Sequence, residues 1–355
     1  MTFGILFCTL WPFNPFPQNR VSWLPQSNGI RFTQRGVALT PQAFQLPANL
    51  SNDGSCTLEL WIKPARSDSV STVADFYDPG DPYRFLLRQY HGGLILSHDV
   101  PLPHRKAHHS KIDIDDGLQQ DQLTFITITS SGVGTRVYFD GKLKKSFPGF
   151  HVTLADLSGQ LVLGSATVQP DSWSGEIHGL AIDPRELTPQ EVLESIRRWT
   201  AGEPPDASAI ASYTFTERAG NIVHAQGIAP QDLHIPKIYR VPHHSFLTPP
   251  WREFDPSWDY VWDLLRNIVG FMPLGFLVCA LLYRAPRFPR AVLLSTLLGG
   301  ALSLCIEILQ AYIPQRGSGM TDVITNTLGT LLGALLLAFA IRSKLTTAAE
   351  TSAAH

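Results

Sequence analysis

The segments that decide the fold are NIVGFMPLGF at residues 267–276, SLCIEILQ at 303–310 and DVITNTLG at 322–329. They belong to three successive apolar stretches, at 264–283, 291–313 and 323–341. Each stretch has roughly 19 to 23 residues, which at about 1.5 Å per residue spans a hydrocarbon layer near 30 Å. Three such stretches with so few charges predict transmembrane helices rather than buried helices of a soluble core.

The overall charge is almost balanced, with 28 Lys and Arg against 30 Asp and Glu, so nucleic acid is not expected as a partner. Nearly all charge lies before Arg266, which marks a domain boundary, and 355 residues suffice for two or more domains. Cys8, Cys279 and Cys305 lie in apolar stretches, which leaves Cys56 alone in the soluble region. No disulfide is therefore expected there.

Basic residues near helix ends indicate the cytoplasmic side of a membrane. Arg284, Arg287 and Arg290 follow the first stretch, and Arg342 and Lys344 follow the last, so both ends are predicted to be cytoplasmic. The sequence before the first stretch then faces outward. We expect a multi-pass protein of the cytoplasmic (inner) membrane, with bundle residues 263–345 followed by a disordered cytoplasmic tail at 346–355.

The N-terminal run FGILFCTLWPF at 3–13 is apolar but too short to span a bilayer, and it lacks the features of a cleaved signal. Residues 1–21 are therefore predicted to be a partial transmembrane helix, truncated at its N-terminus.

The segment 241–262 is rich in aromatic residues around an Asp255 and Pro256 pair, which suits the start of a helix. Amphipathic rings favour the headgroup level of a membrane, so this segment is predicted to be an interfacial linker. The alternative is an aromatic patch that docks on the soluble domain. The aromatic residues are Trp251, Trp258, Tyr260 and Trp262.

Between 22 and 240 the sequence shows short strands separated by turns, such as TLELWI at 57–62, FITIT at 125–129 and LVL at 161–163. The segment at 136–146 predicts a hairpin, because Asp140-Gly141 between alternating strands suits a type I′ turn. Thr188 and Glu191 form a capping box with proline at the first helical position, which predicts a helix packed on the edge of a β-sandwich.

The motifs CTLELWIKP, VYFDGKL, LVLGS, WSGEIHGLAIDPRELTPQEV and YTFTERAGNIVHAQG resemble concanavalin A-like (laminin G-like) modules. The resemblance implies an all-β jelly-roll sandwich. Together with the three apolar stretches, the expected fold is multidomain, with this sandwich joined to an all-α transmembrane helical bundle. The resemblance also implies that the sandwich binds glycans or proteins on its concave sheet or loops. Hydrolytic members carry Glu-x-Asp-x-x-Glu on one strand, whereas Glu59 and Glu176 stand alone here, so binding is favoured over hydrolysis.

One segment of the soluble region combines imidazoles with carboxylates and could hold a divalent cation. Its ligand spacing does not repeat, and its prolines and interspersed charges are equally typical of a solvated loop. No other cofactor is expected. The residues are His98, Asp99, His104, His108, His109, Asp113, Asp115 and Asp116.

The apolar stretches contain polar residues, which usually face the interior of a bundle because contact with lipid is costly. Glu307 and Gln310 are three apart, and Asp322 and Asn326 are four apart, so each pair shares one helix face. At about 1.5 Å per residue, Glu307, Asn326 and Asn267 lie roughly 6 to 9 Å below one membrane surface. These residues are predicted to meet in one pocket on the outer side.

The three quoted segments, with an arginine between the second and the third, resemble the VanZ-like family over residues 263–345. The sequence departs from the family at the front, where the usual first helix is a stub followed by a sandwich. The resemblance implies a role at the cell envelope, and the founding member is associated with resistance to the glycopeptide teicoplanin. The characteristic positions carried over are Asn267, Pro273, Gly275, Glu307, Gln310, Arg316, Asp322, Asn326 and Gly329.

The sequence is compatible with three functions. In the first, a non-enzymatic protein captures an envelope glycan or protein with its sandwich and binds an amphipathic or lipid-linked ligand in the polar pocket, where Arg316 pairs with the carboxylates. In the second, a membrane enzyme acts on a lipid or polyprenyl carrier with Glu307 or Asp322 as general base. In the third, the protein is a scaffold whose polar residues only hold the helices together.

Overall fold

The computed structural model of the protein describes residues 14–47, 50, 54–100, 108–167, 171–203, 208–242, 246–254, 258–284, 288–313 and 316–353. The chain divides into two compact units. One is Phe16–His243, and the other combines Met1–Pro15 with His244–His355. The predicted N-terminal stub at 3–13 and the predicted cap at Asp255 and Pro256 lie outside the described residues.

The first unit contains two antiparallel sheets, which is the predicted sandwich. The strands are β1 Val21–Trp23, β2 Ile30–Phe32, β3 Ala38–Leu39, β4 Cys56–Pro64, β5 Val70–Asp78, β6 Asp81–Tyr90, β7 Gly93–Val100, β8 His108–Ile114, β9 Thr124–Ser131, β10 Gly134–Phe139, β11 Lys142–Phe147, β12 Gln160–Leu163, β13 Gly175–Asp183, β14 Ala211–Tyr213, β15 Ile222–Val223 and β16 Leu233–His234. In the first sheet the strand order is β1-β2-β13-β4-β9-β10-β11, with β14 beside β13. In the second sheet the order is β15-β16-β3-β12-β5-β6-β7-β8.

The main core of this unit lies between the two sheets. Side chains alternate along each strand, so Leu58 and Leu60 of β4 point inward, where they join one buried cluster with Phe76, Phe85 and Trp173. Removing such side chains from water is the main source of stability for a fold of this kind, at about 25 cal/mol per Å² of apolar surface.

Helix α1, Pro189–Ala201, packs on the outer face of the first sheet. Its capping box is present, since the Thr188 hydroxyl accepts from the Glu191 backbone N–H and the Glu191 carboxylate accepts from Thr188. Trp199 packs against Phe125 of β9 and Ala181 of β13. The helix therefore covers central strands rather than the sandwich edge, because its apolar side needs a wide apolar surface to cover it.

The predicted hairpin joins β10 to β11 through Asp140 and Gly141, which both have positive φ, at 48° and 77°. This is the requirement of a type I′ turn, and it explains the Asp-Gly pair. A register shift between Val137 and Tyr138 bends the hairpin.

The second unit contains α2, Pro250–Glu253, and three long helices: α3, Trp258–Leu282; α4, Phe288–Gln310; and α5, Met320–Ala353. By length and composition, Tyr260–Leu282, Phe288–Gln310 and Met320–Ile341 could each cross a membrane. This confirms that the three apolar stretches form long helices. Helix α5 continues to Ala353, within the predicted tail at 346–355, and the disorder of that tail stays a prediction.

Gly141→Ala should lower the free energy of unfolding by about 1 to 3 kcal/mol, because a left-handed residue would gain a Cβ. That Cβ would also collide with Leu193 of α1. Thermal unfolding of the purified full chain measures the loss. Gly132→Ala is the matched control, because Gly132 lies in the neighbouring hairpin and a Cβ added there would meet no atom within 4 Å beyond its chain neighbours. Equal stability of the two variants would contradict the turn assignment.

Candidate functional site

The polar residues of the bundle gather where α5 begins. Gly319 precedes the helix and has no side chain that could accept a hydrogen bond from the first turn. Glu307 of α4 supplies an acceptor, since its Oε2 lies 2.8 Å from the Gly319 nitrogen. Glu253 of α2 supplies another, since its Oε2 lies 3.0 Å from the Thr321 nitrogen. The first N–H groups of α5 are thus capped by side chains from two other helices.

The segment before α3 completes this cap. The Thr248 carbonyl accepts from the Met320 N–H at 2.9 Å, and the Thr248 N–H donates to the Ser318 carbonyl, also at 2.9 Å. The Ser318 hydroxyl accepts from the Leu247 N–H at 3.3 Å. Part of the predicted interfacial linker is therefore bonded to the loop that enters α5. The exposed rings of Trp251, Trp258 and Trp262 fit an interfacial position.

Two further hydrogen bonds join α5 to its neighbours. The Asn267 amide of α3 donates to Asp322 Oδ1 at 2.8 Å. The Asn326 amide donates to the Ser303 hydroxyl of α4 at 2.9 Å. Asp322 and Asn326 share a helix face as predicted, and each contacts a different helix. The meeting of Glu307, Asn326 and Asn267 in one pocket stays a prediction.

Small residues bring the helix backbones into close contact. A Cβ at Gly275 of α3 would collide with the Thr330 carbonyl of α5, and one at Gly329 would collide with the Ile268 carbonyl of α3. Gly333 lies equally close to the Met272 carbonyl. This is the small-xxx-small packing expected of membrane helices.

The other predicted positions have different surroundings. Gln310 is buried at the end of α4, Arg316 is exposed in the loop between α4 and α5, and Pro273 lies exposed within α3. The pairing of Arg316 with the carboxylates stays a prediction. Sequence reasoning missed Glu253 and Thr248. The available signal was Gly319, because a glycine before a helix has no side chain that could accept from the first turn.

Two buried oxygen atoms at this site have no hydrogen-bond partner within the described part of the chain, Asn326 Oδ1 and Thr321 Oγ1. Glu307 is 1% exposed and Asn326 is 5% exposed. The site thus offers carboxylate and amide oxygens in a water-poor setting. Chemically it suits a group that donates hydrogen bonds.

In the sandwich, the two strand glutamates are engaged internally. Glu59 Oε2 accepts from Ser195 and from Trp199 of α1, and burial raises the pKa of Glu59. Glu176 contacts Arg31 at 2.7 Å and His178 at 3.1 Å. Burial alone would raise the pKa of Glu176, but these hydrogen bonds outweigh it and lower that pKa. Both carboxylates are engaged within the domain, whereas the acid and the nucleophile of a glycosidase flank the scissile bond.

The histidine-rich segment forms pairs. His109 Nδ1 lies 2.9 Å from Asp99 Oδ1, and His98 Nδ1 lies 3.6 Å from Asp156 Oδ2. Among the described residues, no three of His, Cys, Asp and Glu are arranged to hold a metal ion. His104 and the side chain of His108 fall outside that description, while Asp113, Asp115 and Asp116 are exposed.

The helices and sheets together define a membrane protein that carries a β-sandwich domain. Residues 194–341 match the family model described as VanZ/LLP1, and residues 40–193 match the model of the concanavalin A-like lectin/glucanases superfamily. The two matches cover different parts of the chain, and together they confirm both resemblances. No curated protein matches it.

Similar solved structures include the receptor binding domain of botulinum neurotoxin C/D mosaic serotype, at 16% identity and a TM-score of 0.38, covering 50% of this chain and 44% of that one. The chain thus spans less than half of that protein's length. A SAP-like pentraxin from Limulus polyphemus has 17% identity and a TM-score of 0.35, covering 62% and 93%. Likenesses this distant indicate no ligand.

Gly329→Ala should destabilise the bundle by about 1 to 3 kcal/mol, because its methyl group would push against the Ile268 carbonyl. Gly270→Ala is the matched control, since Gly270 of α3 has no neighbour within 4 Å and alanine favours a helix. Denaturation of the full chain by SDS in mixed micelles compares the two. A Gly329→Ala variant as stable as the control would contradict the close packing of α3 on α5.

Proposed function

We propose that this protein is a membrane-anchored binding protein of the cell envelope, whose sandwich captures a glycan or a protein outside the cytoplasmic membrane. The observation that carries the proposal is the engagement of Glu59 by α1 and of Glu176 by Arg31 and His178. A hydrolase of this fold needs two carboxylates flanking the scissile bond, whereas these two stabilise the domain itself.

The orientation in this proposal rests on the basic residues. Arg284 lies between α3 and α4, Arg290 lies in the first turn of α4, and Arg342 and Lys344 follow the last apolar stretch. Cytoplasmic loops are enriched in such residues, so the beginning of α5 faces outward. The sandwich precedes α3 in the chain and is therefore also assigned to the outer side.

A second candidate function concerns the bundle. The buried Asn326 Oδ1 lacks a partner among the described residues, and an acceptor left unsatisfied in an apolar setting costs about 1 to 3 kcal/mol. A ligand that donates a hydrogen bond would remove that cost. The site would then bind the polar end of an amphipathic or lipid-linked molecule, with a role in glycopeptide resistance of the teicoplanin type.

The sandwich proposal is tested by applying the folded full chain to an oligosaccharide array. The detergent should have a polyoxyethylene headgroup, because sugar detergents would compete for a glycan site. We expect retention of one class of oligosaccharide by the folded protein and none by heat-unfolded protein in the same detergent. If the folded protein retains no oligosaccharide, the glycan form of the proposal is wrong and protein recognition replaces it.

The bundle proposal is tested with Glu307→Gln. The amide oxygen can still accept from the Gly319 N–H, so the helix cap is kept while the charge is lost. We expect cells that express this variant to become as sensitive to teicoplanin as cells without the protein, at equal amounts of membrane-inserted chain. Cys305→Ala, on an exposed face of α4, is the control that should keep the wild-type response. Wild-type sensitivity of Glu307→Gln cells would leave the charge of Glu307 without a role in resistance and this carboxylate with a purely structural one.

A further inference from the structure

One end of the second sheet presents an aromatic ring beside an ion pair. Tyr90 ends β6 and is 46% exposed. The loop after β4 brings Arg66 and Asp68 to the same region, where Nε and Nη2 of the guanidinium donate to the two carboxylate oxygens at 3.0 and 3.1 Å. Their side chains remain 59% and 69% exposed. We call Arg66, Asp68, Tyr90 and His91 the Tyr90 corner.

A buried side chain holds the two loops of this corner together. The Gln89 amide donates to the Arg66 carbonyl at 2.6 Å and to the His91 carbonyl at 3.1 Å. Its own oxygen accepts from the Trp173 indole N–H at 2.7 Å, and both Gln89 and Trp173 are 0% exposed. The His91 N–H also donates to the Ser69 carbonyl at 2.9 Å. The exposed groups therefore stand on a rigid buried support, as binding groups require.

The backbone at His91 is strained. Tyr90 pairs with Gly93, so His91 and Gly92 form a two-residue turn, and His91 has a φ of 51°. Glycine or asparagine ordinarily occupies such a position, and other residues there cost roughly 1 to 2 kcal/mol. A glycine at this position would relieve the strain, so His91 is a place where binding can be tested separately from folding.

The corner has both an apolar and a polar part. Val70 pairs with Tyr90 across the strands and is 43% exposed, so the two side chains form a small exposed apolar patch. The Tyr90 and His91 rings lie in a T-shaped arrangement with centroids 4.7 Å apart. The hydrogen bond from Arg66 lowers the pKa of Asp68, which is therefore ionised at neutral pH and cancels the charge of its partner.

We propose that the Tyr90 corner binds an uncharged sugar ring of an envelope glycan. One face of a hexose carries only C–H groups, which pack on an aromatic ring whose face is electron-rich. Its hydroxyl rim both donates and accepts hydrogen bonds, and the Arg66 and Asp68 pair offers donors and acceptors side by side. An anionic ligand is disfavoured because the arginine is already neutralised. This inference rests on the proposed glycan capture by the sandwich.

The test is titration calorimetry on the full chain in polyoxyethylene detergent, with the uncharged oligosaccharide that gives the strongest array signal. We expect Tyr90→Ala to weaken binding by about tenfold or more and Tyr90→Phe to bind within about threefold of wild type, because the ring face is kept. Asp68→Asn should also weaken binding. Val133→Ala, on an exposed turn of the other sheet, is the control and should not change it.

His91→Gly separates binding from folding. We expect this variant to unfold at the wild-type temperature or higher, because strain is relieved, and yet to bind the same oligosaccharide about threefold or more weakly. If the array shows binding but neither Tyr90→Ala nor His91→Gly weakens it, the corner is not the site and the proposed capture function stands. If no oligosaccharide binds at all, glycan capture itself fails, and the corner assignment fails with it.

Discussion

The bundle depends on one requirement, that the backbone N–H groups at the start of α5 find acceptors. Gly319 is buried, so bulk water cannot serve its N–H group. Gly319 has no side chain to help, and even a methyl group there would collide with the Glu253 carboxylate. Glu307 and Glu253 therefore meet the requirement from two other helices. The position of α5 relative to α2 and α4 follows from these two hydrogen bonds.

The same requirement explains why α5 carries the other polar contacts. Once its first turn is fixed, Asp322 faces Asn267 on α3 and Asn326 faces Ser303 on α4. Further along α5, Gly329 and Gly333 lie against the α3 backbone. Gly329 lets the α3 backbone come close enough that packing, rather than hydrogen bonding, holds the pair. Hydrogen bonds near the start of α5 and close backbone packing farther along it therefore both hold α5 against its neighbouring helices.

Most of the fold could be predicted from sequence because its signals are local. Apolar length predicts a membrane helix, Asp140-Gly141 predicts its turn, and the capping box at Thr188 predicts the start of α1. The partners of the polar residues could not be predicted in the same way. Glu253 lies far in sequence from Thr321, and no periodicity links them. Helix spacing correctly placed Asp322 and Asn326 on one face, but it could not show that each contacts a different helix.

The electrostatics of the α5 start also bear on the choice between a structural and a binding role. The N-terminus of a helix carries a partial positive charge, which stabilises nearby carboxylates. Buried Glu307 therefore has a stabilising environment without requiring Arg316, so its presence alone does not indicate a ligand. Asn326 Oδ1 is different, because the helix cap does not use it. The case for an intramembrane ligand thus rests on that amide oxygen more than on the carboxylates.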